Sequence, residues 1–214
     1  MSYNPTMAIE RGIHVIDGSH LFASITRVWR DHEELQNKKL KIDVFTRAVH
    51  SYWTPYTGPA IRSIYYFKKG DKRLKTMLDI PSSQSPNHKS HWQINECAQS
   101  VTSIPDSEIQ KLDPKYHDLF HKAEKGLDME LACDALQLVA DRRIDSVGFL
   151  VNDRDYIPLF KALQRLGANT YISGLDIRQP VQKSLVDLAD LYHTFESDLD
   201  LFFGYTPATQ SSEE

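Results

Sequence analysis

Two apolar runs that each stop at an aspartate constrain this chain more than any other feature. Ile13-His14-Val15-Ile16 runs into Asp17-Gly18-Ser19, and Val147-Gly148-Phe149-Leu150-Val151 runs into Asn152-Asp153-Arg154-Asp155. A fourth acid, Asp128, follows Lys125-Gly126-Leu127 at the start of an amphipathic helical pattern. Short, continuous apolar runs suit strands buried on both faces, as in a parallel sheet. In such a sheet the residues just past the carboxyl ends of the strands line the ligand crevice. Four carboxylates converging there repel one another unless a cation lies between them. That reading predicts a divalent-metal site, and metal-bound carboxylates at a sheet edge point to phosphoryl chemistry.

Strand and helix patterns alternate along the rest of the chain. After a flexible leader over 1–11, the spacing predicts a strand at 13–16. A helix capped by Ser19 follows, with Leu21, Phe22, Ile25, Val28 and Trp29 along it. A second helix covers 43–53, and Pro55, Gly58 and Pro59 break regularity over 52–59. Residues 61–67 are rich in β-formers. The stretch 79–116 is punctuated by Pro81, Pro86, Pro105 and Pro114 and reads as an elaboration of the domain, with a short strand near 91–94. Regular periodicity returns with a helix from Asp128 through Val139, a strand at 146–151 and a helix at 156–166 closed by Gly167. A strand at 168–172, a helix at 181–189 and an edge strand at 191–195 follow, and 204–214 reads as a disordered tail. This order predicts a single α/β domain over 12–203, a central parallel sheet with helices on both faces.

The bulk numbers exclude several classes. With 41% hydrophobic and 25% charged residues among 214, the chain has the balance of an ordinary globular protein. No apolar run approaches a membrane span, and the first dozen residues lack a secretory signal, so no membrane partner is expected. Two cysteines, Cys97 and Cys133, make a disulfide framework unexpected and suit a cytoplasmic, reducing compartment. No glycine-rich phosphate loop is present, which disfavours nucleotide-cofactor enzymes. His88, His91, Cys97, His117 and His121 raise the question of zinc, but their spacing matches no standard structural site. A net charge of −4 argues against a broad basic coat. Lys68, Lys69, Lys72, Arg73 and Lys75, beside Tyr65 and Tyr66, read either as a local nucleic-acid track with tyrosine stacking or as a solvated helix start.

Each acid has a plainer reading as well: Asp17 as a turn residue, Asp128 and Asp155 as helix caps. A resemblance weighs against those readings. Val15-Ile16-Asp17-Gly18-Ser19-His20-Leu21-Phe22 resembles the opening motif of the NYN domains, relatives of the PIN-domain ribonucleases, which usually reads aspartate, glycine, small residue, asparagine. Lys125-Gly126-Leu127-Asp128 resembles their lysine-glycine-valine-aspartate helix start. The segment from Phe149 to Leu159 resembles their serine-glycine-aspartate-serine-aspartate-phenylalanine segment, and the order and spacing hold over about 12–195.

The resemblance implies a three-layer PIN-like fold and aspartates that bind Mg²⁺ or Mn²⁺ and cleave RNA. Carried over by position, Asp17, Asp128, Asp153 and Asp155 are the catalytic and metal-binding set. Ser19, His20 and Lys125 lie where substrate contacts are expected, and Asp134 is either a further member or a polar residue on an exposed helix face. His20 stands where the family has asparagine, and Asn152 where it has glycine. The expected function is a metal-dependent ribonuclease, an endonuclease with RNA as partner; a homo-oligomer is left open. The alternatives are a non-catalytic RNA- or protein-binding module that kept the fold, and a phosphatase or receiver-type acidic pocket.

Overall fold

The structure is a computed structural model, and it describes residues 11–57, 60–81, 91–97, 111, 125–176 and 180–204. In chain order its strands are β1 (Gly12–Asp17), β2 (Leu40–Lys41), β3 (Ala60–Lys68), β4 (Leu78–Asp79), β5 (Trp92–Cys97), β6 (Ser146–Leu150), β7 (Asn169–Gly174) and β8 (Leu191–Thr194). The helices are α1 (Gly18–Asp31), α2 (Ile42–Thr57), α3 (Arg73–Met77), α4 (Lys125–Ala140), α5 (Ile157–Arg165), α6 (Lys183–Val186) and α7 (Leu199–Phe203). Six strands form one sheet in the order β5-β3-β1-β6-β7-β8, and every pairing in it is parallel. The first strand thus lies in the middle. The chain winds outward through β3 to β5, returns through α4, and winds outward on the other side from β6 to β8. The order reverses between β1 and β6, the switch point where such sheets open a crevice.

Alternation along the strands builds the two outer layers. Ile16, Tyr65, Phe67, Leu150 and Tyr171 point to the face covered by α1, α2 and α7, packing with Leu21, Phe45, Trp53 and Phe202. Ile13, Val15, Ile64, Val147, Phe149 and Ile172 point to the other face, against Leu131 and Ala135 of α4 and Phe160 and Leu163 of α5. Strands apolar on both sides need cover on both sides, so the α/β/α sandwich follows from the sequence. It agrees with the expected PIN-like arrangement.

Four local expectations are corrected. Asp17, rather than Ser19, caps α1: its carboxylate accepts from the Ser19 and His20 amides. Helix α2 runs through Pro55 to Thr57, because the aromatic groups in its last turns are anchored to the sheet. There Trp53 Nε1 donates to Ser173 Oγ at 3.1 Å, and the Tyr171 hydroxyl donates to the Tyr56 carbonyl at 3.3 Å. The helix expected over 181–189 shrinks to α6, since Asp190 is drawn back to β7: its amide donates to the Thr170 carbonyl at 2.7 Å and its carboxylate accepts the Thr170 amide at 2.6 Å. Tyr65 and Tyr66 are fully buried in β3, so neither is a stacking surface for bases. The two-residue strands β2 and β4, paired in parallel, and the terminal α7 had no counterpart in the sequence pattern. The leader over 1–11 (Arg11 apart), the tail over 205–214, most of 79–116, and His88, His117 and His121 lie outside the described residues.

Candidate functional site at the switch point

Asp17 ends β1 and is 7% exposed. Its Oδ1 accepts from the Ser19 amide at 2.8 Å and the His20 amide at 3.2 Å, which fixes the carboxylate over the first turn of α1. The turn is tight for a steric reason. A Cβ on Gly18 would lie 2.1 Å from the Phe67 ring and 2.5 Å from the Tyr66 carbonyl oxygen, so only glycine lets the chain leave β1 against the end of β3.

The second acid arrives from 111 residues away in the sequence. Asp128 lies half-buried in the first turn of α4, the helix that carries the chain back to β6. A residue that sequence reasoning missed connects the two. The Tyr156 hydroxyl donates to Asp128 Oδ1 at 2.7 Å and reaches Asp17 Oδ2 at 3.3 Å, so one proton is shared between two carboxylates. Tyr156 itself is buried, and burial together with both carboxylates drives its phenol well above the ordinary range. Burial also raises the Asp17 carboxyl to about 6, with the charge of Asp128 adding to the rise and the two amides opposing it. The missed signal was one atom: where the family has phenylalanine, this chain has tyrosine.

Asp153 and Asp155 follow β6 and are exposed. Asp153 caps the short 3-10 turn Arg154–Tyr156 through a 2.9 Å bond from the Asp155 amide to its Oδ1. That turn is what delivers Tyr156 to the acid pair. Asn152 acts on the scaffold. Its Oδ1 accepts the Gln182 amide at 2.6 Å, and the Gln182 side chain returns a bond to the Asn152 carbonyl at 3.2 Å. The exchange of glycine for asparagine therefore ties two loops together. His20 is largely enclosed, and burial, with Arg27 contributing, lowers its imidazole to about 4, so the ring is neutral, while its backbone amide is the group that meets Asp17. Ser19 contributes its amide to Asp17. Lys125 opens α4, and its side chain lies outside the described residues. Asp134 accepts from the Tyr66 hydroxyl at 2.8 Å and from Asn95 at 3.5 Å, which ties α4 to β3 and β5.

Among the described residues, no three or more His, Cys, Asp or Glu side chains gather as a metal-ligand group. What the structure brings together is the pair Asp17 and Asp128. Two carboxylates with hard oxygen donors fit a magnesium-type ion, which keeps several waters and takes one or two carboxylates plus substrate phosphate oxygens. A buried carboxylate facing a second carboxylate is also the electrostatic situation that a cation relieves.

The family model described as NYN domain matches residues 15–199 of the chain. No curated protein and no solved structure matches it.

Proposed function

The chain belongs to the NYN domain family, of PIN-like, nuclease-type fold, and from that premise we propose that it is a metal-dependent ribonuclease that hydrolyses RNA phosphodiester bonds. The observation that carries the proposal is the buried Asp17 carboxylate at the end of β1, joined through Tyr156 to Asp128 at the switch point of the sheet. Magnesium or manganese held by Asp17 and Asp128, with Asp153 and Asp155 at the mouth, would neutralise the phosphodiester and lower the pKa of an attacking water. The side chains supply the rest. The Ser19 and His20 amides hold Asp17 in one orientation, so no reorganisation is needed when substrate arrives. The Tyr156 hydroxyl keeps the two carboxylates adjacent. In this reading His20, neutral, offers a hydrogen bond to an RNA oxygen without adding charge, and Ser19 and Lys125 are the other substrate contacts. The acid pair sits mid-edge, with β3 and β5 on one side and β7 and β8 on the other. That central position suits an endonuclease, which takes its substrate within a nucleic-acid strand rather than at its end. Among the described residues no helix is long and apolar enough to cross a membrane. The free thiols Cys97 and Cys133 suit a cytoplasmic enzyme.

A second reading is a binding module without catalysis. It is favoured by the shared Tyr156 hydroxyl, which already engages both acids, and by the lack of a three-ligand group among the described residues. One experiment separates the two. Purified protein is incubated with single-stranded and structured RNA in Mn²⁺ and in chelator, beside Asp17→Asn. Cleavage that needs Mn²⁺ and falls roughly a hundredfold or more in the variant supports the nuclease. Intact RNA in every wild-type reaction, or equal cleavage by the variant, supports the module.

A further inference from the structure

A band of lysines leaves the same edge of the sheet as the acid pair. Asp17 stands level with Tyr66 in the parallel register of β1 and β3, and Lys68 is two residues further along β3. Gly18 packs against Phe67, so the start of α1 and the end of β3 touch. Beyond β3 the chain makes a pinned turn. The Lys69 amide donates to the Cys97 carbonyl at 3.0 Å, and the Asp71 amide donates to the Lys68 carbonyl at 3.0 Å. Arg73 is committed to the scaffold: it forks onto Asp71 at 2.7 to 3.1 Å and lies 4.7 Å over the Phe22 ring of α1. That clamp holds α3 against the helix that Asp17 caps, and it neutralises the one acid in the segment. Lys69, Lys72 and Lys75 remain exposed, and no ion pair joins them to a carboxylate among the described residues. Strand β4, directly after α3, pairs with β2 and so brings exposed Lys39 to the same neighbourhood. In a chain of net charge −4, this concentration of cations beside an acidic crevice is a local inversion of sign.

We infer that the segment from Lys68 to Lys75 is a phosphate-binding track that leads the backbone of single-stranded nucleic acid to the Asp17–Asp128 pair. For the choice of RNA, this rests on the ribonuclease reading above. The track grips charge rather than bases, since Tyr65 and Tyr66 are buried and offer no ring to stack on. Recognition along it is therefore indifferent to sequence. The rigid turn matters because cations fixed on a scaffold lose less freedom on binding than cations on a loose tail.

The test uses the full chain in chelator, with a fluorescently labelled oligouridylate titrated across a salt series. Replacing Lys68, Lys69, Lys72 and Lys75 together by alanine is compared with a control that replaces Lys161 and Lys183. These control lysines lie on α5 and α6, away from the track. Each lost phosphate contact lowers the slope of log affinity against log salt by about 0.7, so the fourfold variant is expected to lose roughly 2 to 3 in slope. The control keeps the wild-type slope. An unchanged slope in a variant that melts like wild type overturns the track. So does an equal loss in the control, or a loss of binding to phosphatidylserine vesicles with RNA affinity intact. The track and the nuclease fail separately. Wild type that binds through these lysines but cleaves nothing keeps the track and sinks the nuclease. Mn²⁺-dependent cleavage with no lysine dependence of binding does the reverse, and wild type that binds no RNA sinks the track.

Discussion

Two pairs of like groups are built on β1, and burial does opposite things to them. At the end of the strand, Asp17 meets Asp128 through the Tyr156 hydroxyl. In its middle, His14 meets His50 of α2 with ring centroids 5.1 Å apart, and His50 in turn meets His91 at 6.0 Å. Burial favours the neutral form of both kinds of group. For the aspartate that raises the carboxyl to about 6, with the neighbouring acid adding to the rise, and stores an electrostatic demand that a cation satisfies. For the histidines it lowers the pKa, well down for His14 and to about 4 for His50, with the neighbouring histidines adding to the fall. Neutral imidazoles carry no charge to be met and become packing, although His14 Nδ1 is buried without a hydrogen-bond partner among the described residues. His50 shares a 2.8 Å bond with Ser63, and the His14 ring fills the space opposite Gly148. Placement, more than residue type, makes one pair a candidate site and the other part of the core: Asp17 lies at the carboxyl edge of the sheet, and His14 lies within the ladder between β3 and β6.

The sharpest test of that contrast is Asp128→Asn. If the acid pair is the reactive one, RNA cleavage in Mn²⁺ falls by about two orders of magnitude or more while the thermal melt without metal holds or rises. Retained cleavage would remove Asp128 from the chemistry. The histidine side is expected to answer in stability alone. Gly148→Ala places a methyl group 2.2 Å from His14 Cδ2, and His14 is 3% exposed, so a buried ring must shift to admit it. A loss of about 1–3 kcal/mol by denaturant titration is expected, with cleavage per folded molecule unchanged. A neutral result would show that the histidine layer is loose.

Tyr156→Phe probes the hydroxyl between the acids. Removing a bond to charged groups costs about 1.5–3 kcal/mol in the metal-free protein. Mn²⁺ then raises the melting temperature by more than in wild type, since the hydroxyl no longer competes for the carboxylates. Identical melts with and without Mn²⁺ in both proteins would count against metal binding at this pair. The smallest effect concerns pH. Because the folded-state pKa values of His14 and His50 are depressed, the unfolded chain binds their protons first as pH drops. The stability these groups contribute is fully present above about pH 6.5 and is lost as pH falls toward 4. His50→Gln is expected to flatten the melting-temperature profile over that window by a few degrees, at roughly 2–4 °C per kcal/mol. A profile parallel to wild type would place the acid sensitivity elsewhere.

Much of this architecture was legible because parallel strands buried on both faces leave continuous apolar runs: β1, β3, β6 and β7 announce themselves. The β2–β4 ladder did not, since two residues apiece carry no period, and α2 outran its proline because tertiary anchors at Trp53 and Tyr171 outweighed one missing amide. At the site, strand-end acids could be located from sequence, and Asp17, whose plainer reading was a turn residue, proved to cap α1. At Tyr156 the sequence shows a tyrosine where the family has phenylalanine, but not what its hydroxyl reaches, because those contacts span 139 and 28 residues. Gly148 was read simply as part of an apolar run, although its partner His14 is what requires it.

The sheet order sets a timetable as well as a shape. Synthesis runs from the N-terminus, so Asp17 leaves the ribosome long before Asp128 and Tyr156 exist. The sheet cannot close beside β1 until β6 is made. A nascent chain therefore carries a lone carboxylate and no acid pair until α4, β6 and the turn that holds Tyr156 have all been made. Any chemistry that needs the pair, the proposed cleavage of RNA included, is therefore unavailable to a chain still short of Tyr156.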